Sequence, residues 1–183
     1  MTKSAEMPKL YVENRTHRME RTFLSDETYE QAMRGMIIVC TDGVIINRDR
    51  KTIYLAKRAI KPMQGLWWIG GRRLPSENAL TSVGRCFKRE TGLDIRPNRF
   101  TFVDMAEYLW KDRQQVPQSA GSHNLCHTFA VELNYAELEQ AKSGLEKQEY
   151  ESKFGLQEFN RDRLVHAQVH PVILDIYDKI FCD

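Results

Sequence analysis

One segment limits what this chain can fold into more than any other. It is "GGRRLPSENALTSVGRCFKRETGL", Gly70 to Leu93: a glycine pair, a polar turn and an amphipathic helix closed by a glycine. Leu80, Val83 and Phe87 recur at helical spacing and share one face, while Cys86 and Glu90, four apart, stack on the neighbouring face. Ser76 is the expected N-cap and Gly92 the expected terminator. A helix with one apolar stripe must bury that stripe, and β-branched apolar runs lie on both sides of it in the chain. "MIIVCTDGVIIN" reads as a buried strand, "NRDRKT" as a turn and "IYLAKR" as a second strand. Leu66 to Ile69 is a short apolar piece before the glycine pair, and "RFTFVDMAEYLW" and "HTFAVEL" are further strands.

Two more helices flank this set. "LSDETYEQAMRG" has Ser25 or Asp26 to cap its free amides and Gly35 to take a left-handed turn at its end. "HPVILDIYDKIF" is a helix after Pro171, with Val172, Ile173, Ile176 and Ile180 pointing inward. Strands mixed with two or three helices predict an α/β (α+β) sandwich with a mixed sheet. Residues 1–22 read as a polar arm and 23–183 as one domain, long enough to bury a sizeable core. Between the last two strands, Lys111 to Asn124 forms a long polar loop of the kind that shapes specificity.

Charge and composition exclude several classes. The formal net charge is +2, without the basic excess of a nucleic-acid binder. No apolar run approaches the roughly 18 residues of a membrane span, and "MTKSAEMPKL" lacks a signal-peptide core. Cys40, Cys86, Cys126 and Cys182 are scattered without a CxxC pair, as expected of reduced thiols in a cytoplasm. "SHNLCH" invites a zinc reading through His123, Cys126 and His127. A structural zinc site needs four ligands, however, and strand alternation would send Cys126 and His127 to opposite faces. Trp67 and Trp68 suit either base stacking or core packing, and Cys86 on a helix interior reads as an inert thiol.

Glycines let the backbone approach a ligand closely, and a helix N-terminus favours anions, so chemistry belongs at the glycine pair and its helix. Here the chain resembles the Nudix hydrolases, whose signature is Gly-x5-Glu-x7-Arg-Glu-U-x-Glu-Glu-x-Gly-U, with U bulky and apolar. Gly71, Glu77, Arg85, Phe87, Glu90, Gly92 and Leu93 stand at its spacings, while Cys86 and Arg89 stand where it has glutamates. That exchange moves the local charge three units toward positive. A cluster of several metal ions would lose its compensation, whereas a single Mg²⁺ needs only one or two protein ligands beside water and a diphosphate.

Within that superfamily the chain is most similar to the GDP-mannose mannosyl hydrolases. "FLSDETYEQAMR" resembles their N-terminal helix and "LAKRAIKPMQGLWWIGGR" their run of basic residues, Pro-x-Gln-Gly, aromatic and Gly-Gly-Arg, so the resemblance covers roughly Phe23 to Phe159. It implies one Mg²⁺, with Mn²⁺ as the alternative ion, held by the Gly70 carbonyl, Glu90 and the Gln148 amide. It implies Arg58 and Arg72 on the diphosphate of a nucleotide sugar, Asp42 and His127 near the substrate, and a cytoplasmic homodimer. The branch has Gln-His where this chain has Gln148–Glu149, which makes Glu149 the candidate base. Arg85 is expected to orient the loop through an ion pair, and Glu77 to gain from the helix dipole. Three functions follow: a nucleotide-sugar hydrolase cleaving C–O, a conventional diphosphohydrolase cleaving P–O, or a binding domain without turnover.

Overall fold

A computed structural model describes residues 9–12, 19 and 22–182; most of the expected N-terminal arm lies outside these residues. The scaffold is a seven-stranded mixed sheet. Its centre is β1 (Ile38–Asn47), the β-branched run read from the sequence, and on one side it pairs in parallel with β6 (Ser122–Glu132). On its other side β1 serves two partners in succession. Antiparallel β4 (Ile69–Arg72) takes Cys40 to Gly43, and β2 (Thr52–Arg58) takes Ile45 to Asn47. β3 (Gly65–Trp67) and β7 (Leu156–Phe159) pair with β2, and β5 (Thr101–Trp110) closes the far side against β6, with a bulge between Phe102 and Asp104.

Helices cover both faces. On one lies α2 (Ala79–Thr91), whose Val83, Cys86 and Phe87 are fully buried among Ile45, Ile69 and Phe129. Burying a side chain of this size contributes roughly 1.5–3 kcal/mol. The close approach is possible because β1 has Gly43 there: a Cβ at that position would come within 2.2 Å of the Phe87 ring. Thr41 and Ser82 hydroxyls bond across the same contact at 2.8 Å. On the opposite face, α5 (Pro171–Phe181) seats Ile173 and Ile176 with Leu164 over Val44, Leu55 and Trp68. Two further helices, α3 (Tyr135–Ser143) and α4 (Arg161–His166), and α1 (Asp26–Gly35) complete the set.

Several local expectations are corrected. Among the described residues there are five α-helices, not two or three; α3 carries a capping box between Asn134 and Glu137. The N-cap of α2 is Asn78, whose side chain accepts from the Thr81 amide at 2.8 Å; Ser76, at φ 68°, lies in the preceding turn. Glu77 therefore precedes the cap and acts through side-chain bonds rather than through the helix dipole. Ser25 caps α1, but Gly35 takes no left-handed conformation, and the chain leaves the helix through an extended Met36. Gly92 does end α2 in the left-handed region, at φ 72°. The polar loop is shorter than read, because β6 already begins at Ser122. None of the described helices is long and apolar enough to cross a membrane.

Candidate active site

The pleat of β1 decides what meets at the site. Asp42 and Cys40 point to the α5 face, whereas Thr41 and Gly43 point to α2. At the β4 end of the sheet the α5 face is left open by α5 and forms a cavity of about 260 Å³. Trp67, Tyr108 and Trp110 make an aromatic wall, with Tyr108 and Trp110 stacked at 5.2 Å and Trp67 edge-on to Trp110 at 5.9 Å. Arg58, Arg72 and Arg89 stand around it with Asp42, Glu149 and the glycine pair. Tyr29 of α1 lies beneath Arg72, its ring 4.8 Å from the guanidinium carbon.

Asp42 is 5% exposed, and its Oδ2 has no hydrogen-bond partner among the described residues. Burial raises its carboxyl pKa to about 6, against the opposing pulls of the Trp68 indole and Arg58. Gly70 is required beside it, since a Cβ there would lie 2.2 Å from Asp42 Oδ1. Arg58 Nε is likewise buried without a partner. Arg85 grips Glu77 through Nε at 2.6 Å and donates to the Arg72 carbonyl at 2.8 Å, while Glu77 accepts from the Leu74 amide at 2.9 Å. These bonds fix the turn between β4 and α2 and thereby aim Arg72. Burial pushes the Cys86 thiol up to about 12, which removes it as a nucleophile.

Glu90 is fully buried. Its Oε2 accepts from the Gly70 amide at 3.3 Å and from the Tyr150 hydroxyl, and its Oε1 is held by Arg89 Nη2. Burial raises the Glu90 pKa to about 7, opposed by Arg89 and reinforced by Glu149. The same Arg89 Nη2 donates to the Gly70 carbonyl at 3.3 Å and lies 3.3 Å from Glu149 Oε1. Glu149 Oε2 is 3.8 Å from Arg58.

The expected residues are thus only partly brought together. Arg58, Arg72, Asp42, Gly70 and Glu149 line the cavity, and Glu90 lies directly behind it. Gln148 does not join them. A backbone bridge between Arg58 and Tyr150 sets the register here, leaving Glu149 on the cavity and Gln148 exposed outside it. His127 does not join them either. It is the parallel partner of Thr41, so it faces α2 and packs near Phe102, and burial together with Arg73 lowers its pKa. Cys126 faces the other way, into the cavity.

A divalent ion does not fit this donor set. Of the three ligands implied, Gln148 is turned away, and the Gly70 carbonyl and Glu90 Oε1 are both engaged by one guanidinium nitrogen. No group of three or more His, Cys, Asp or Glu suited to a metal ion occurs among the described residues.

Sequence reasoning missed Tyr29, Tyr108, Trp110 and Arg113. Tyr108 and Trp110 are two apart on β5, so a period of two placed both rings on one face and was available as a signal. Arg113 had none: an arginine in a polar loop reads as solvated. It is instead 2% exposed, donating to the Gly121 and Val116 carbonyls at 3.3 and 3.4 Å and pairing with Glu30 of α1 at 3.5 Å. It ties the loop to α1 across the cavity mouth.

Comparison with known proteins bears on the fold. No protein-family model matches the chain, and no curated protein matches it. Solved structures do match. The chain is similar to a MutT Nudix hydrolase from Burkholderia pseudomallei, with a TM-score of 0.58 at 17% identity over 79% of this chain and 98% of that one. It is similar to a C. elegans Ap4A hydrolase in a binary complex, with a TM-score of 0.55 at 12% identity over 79% and 95% of the two chains. A Nudix hydrolase from Nitrosomonas europaea gives 0.54 at 14% identity over 79% and 88%. At these identities the shared property is the architecture: the chain has the fold of the Nudix hydrolases.

Proposed function

We propose that this chain hydrolyses a nucleoside diphosphate sugar to the nucleoside diphosphate and the free sugar. The observation that carries this reading is the meeting, on one cavity, of Arg58, Arg72 and Arg89 with an unpartnered carboxylate and an aromatic wall. Guanidinium groups match diphosphate oxygens, and the rings of Trp67, Tyr108 and Trp110 offer flat apolar surface to a base or a sugar. The resemblance of the Leu55 to Arg72 run to the GDP-mannose mannosyl hydrolases supports a sugar nucleotide as the substrate class.

Asp42 is the better base of the two carboxylates on the cavity. Both oxygens of Glu149 are taken by arginines, at 3.3 and 3.8 Å. Asp42, with its pKa raised to about 6, is ionised at neutral pH and binds a proton more readily than an ordinary aspartate. Water attacks the anomeric carbon and gives its proton to Asp42. The C–O bond breaks, and its electron pair leaves on the diphosphate oxygen, whose growing charge the arginines stabilise. Asp42 then returns the proton to solvent.

Cleavage at phosphorus is the second reading, favoured by the likeness to a structure named an Ap4A hydrolase. Incubation of the protein with GDP-mannose and other sugar nucleotides in ¹⁸O-water separates the two. Label in the released sugar is the expected result, and label in phosphate with a nucleoside monophosphate as product overturns the C–O mechanism.

A further inference from the structure

We propose that the Arg89 guanidinium is the resident cation of this site, standing where a divalent ion would otherwise join the Gly70 carbonyl to the acidic side chains. Three oxygens from separate parts of the chain converge on its Nη2: the Gly70 carbonyl of β4, Glu90 Oε1 of α2 and Glu149 Oε1 of the segment after α3. Convergence of a main-chain carbonyl and two carboxylates on one point is the geometry of a cation seat. Here a side chain fills it.

Space is reserved for that side chain. A Cβ at Gly71 would lie 3.3 Å from Arg89 Nη2 and 3.4 Å from Cys86 Sγ, so the second glycine of the pair and the small thiol together make room for the guanidinium. A glutamate in place of Cys86 would crowd the same volume. The charges also oppose a second cation. Glu90 and Glu149 supply at most two negative charges, and Arg89 and Arg58, the latter 3.8 Å from Glu149, supply two permanent positive ones. Adding a divalent ion to a half-buried cluster with no net negative charge would leave at least two charges uncompensated, and magnesium requires oxygens at about 2.0–2.1 Å that would first have to leave the guanidinium. Nature of the ion matters as well: a guanidinium is permanently charged and keeps several donors after Nη2 is used.

Those remaining donors belong to a residue on the cavity wall. The Arg89 side chain is 46% exposed and lines the cavity beside Gly71 and Arg72, and no protein acceptor among the described residues takes its Nε or Nη1. Arg89 is therefore placed to hold the acidic pair with one nitrogen and a diphosphate oxygen with another. Resting on the hydrolase reading above, this deepens it: the leaving diphosphate is stabilised by fixed guanidinium groups, and turnover proceeds without a divalent ion.

Manganese(II) titration followed by electron paramagnetic resonance tests the seat apart from catalysis, on protein stripped with EDTA and then freed of it. The parent protein is expected to leave the free Mn²⁺ signal unchanged at millimolar ion. Arg89→Ala is expected to bind one Mn²⁺ per chain, and adding Glu90→Gln to that variant to abolish the binding. Arg89→Met, which retains an unbranched stem without the charge, serves if Arg89→Ala does not give a cooperative thermal transition, and Arg89→Lys is expected to remain without bound Mn²⁺. One Mn²⁺ bound by the parent and lost in Glu90→Gln overturns the proposal, and so does the absence of Mn²⁺ binding in every Arg89 variant. In the second arm, sugar-nucleotide turnover by the parent is expected to change less than twofold between EDTA and Mg²⁺; turnover that requires Mg²⁺ overturns the proposal. Failure of every sugar nucleotide to turn over removes the hydrolase reading and leaves the Mn²⁺ result to decide the seat.

Discussion

At the scale of single residues, the decisive atom is Asp42 Oδ2, buried without a hydrogen bond in the described structure. An aspartate with its pKa raised from 3.8 to about 6 carries a cost when ionised. A rise of about two units corresponds to about 3 kcal/mol, at about 1.4 kcal/mol per unit. The folded state binds this proton more tightly than the unfolded chain does. Below about pH 4 both states are protonated and the cost is absent; it grows as pH rises toward about 6 and is complete above that. Asp42→Asn is therefore expected to melt higher than the parent above pH 6, with the difference vanishing toward pH 4, as thermal scans across that range would show. The same variant is expected to lose turnover by about 10²–10⁴-fold, the usual contribution of a positioned base. A parent kcat/KM that stays flat from pH 5 to pH 8 argues against Asp42 as that base.

At the scale of elements, the contact between β1 and α2 holds the site in shape. Gly43 and Phe87 meet so closely that a methyl group at Gly43 would overlap the ring at 2.2 Å. Gly43→Ala is expected to destabilise the protein by about 1–3 kcal/mol, through overpacking, and denaturant titration measures it directly. Because α2 also carries Glu90 and Arg89, its displacement would move the guanidinium from the Gly70 carbonyl. Much of this element was readable in advance. Apolar residues at helical spacing, a glycine at each end and the acid–arginine spacing of Glu77 and Arg85 are local properties of the chain. Its start was misplaced by two residues because serine and asparagine cap equally well, and only the Leu74–Glu77 and Arg73–Glu77 bonds of the preceding turn fix which one does.

At the scale of the whole molecule, one sheet serves two cores. Ile45 and Val131 face α2, while Val44 and Ala130, their neighbours on the same strands, face α5. Strands shared in this way couple the two sides. Ile176→Ala, on the fully buried face of α5, is expected to cost about 2–5 kcal/mol. Residues 23–183 are expected to unfold as one unit, so that far-ultraviolet circular dichroism and the fluorescence of Trp67, Trp68 and Trp110 lose structure at the same denaturant concentration in parent and variant alike. Separate midpoints for the two signals would divide the chain into independent parts.

What this chain determined without reference to its fold is whatever depends on neighbours in sequence: the strand in "MIIVCTDGVIIN", the helix before Gly92, and the spacing that sets Gly71, Glu77, Arg85 and Glu90 on one signature. What the tertiary structure alone decided is which side chains share a point in space. Successive residues of an extended segment face opposite ways, so a partner strand several tens of residues away chooses between them. That choice sent His127 to the far side of the sheet from Asp42. A turn closed on the Glu146 carbonyl put Glu149 rather than Gln148 on the cavity, and the packing of α2 against the sheet brought Arg89 to the Gly70 carbonyl.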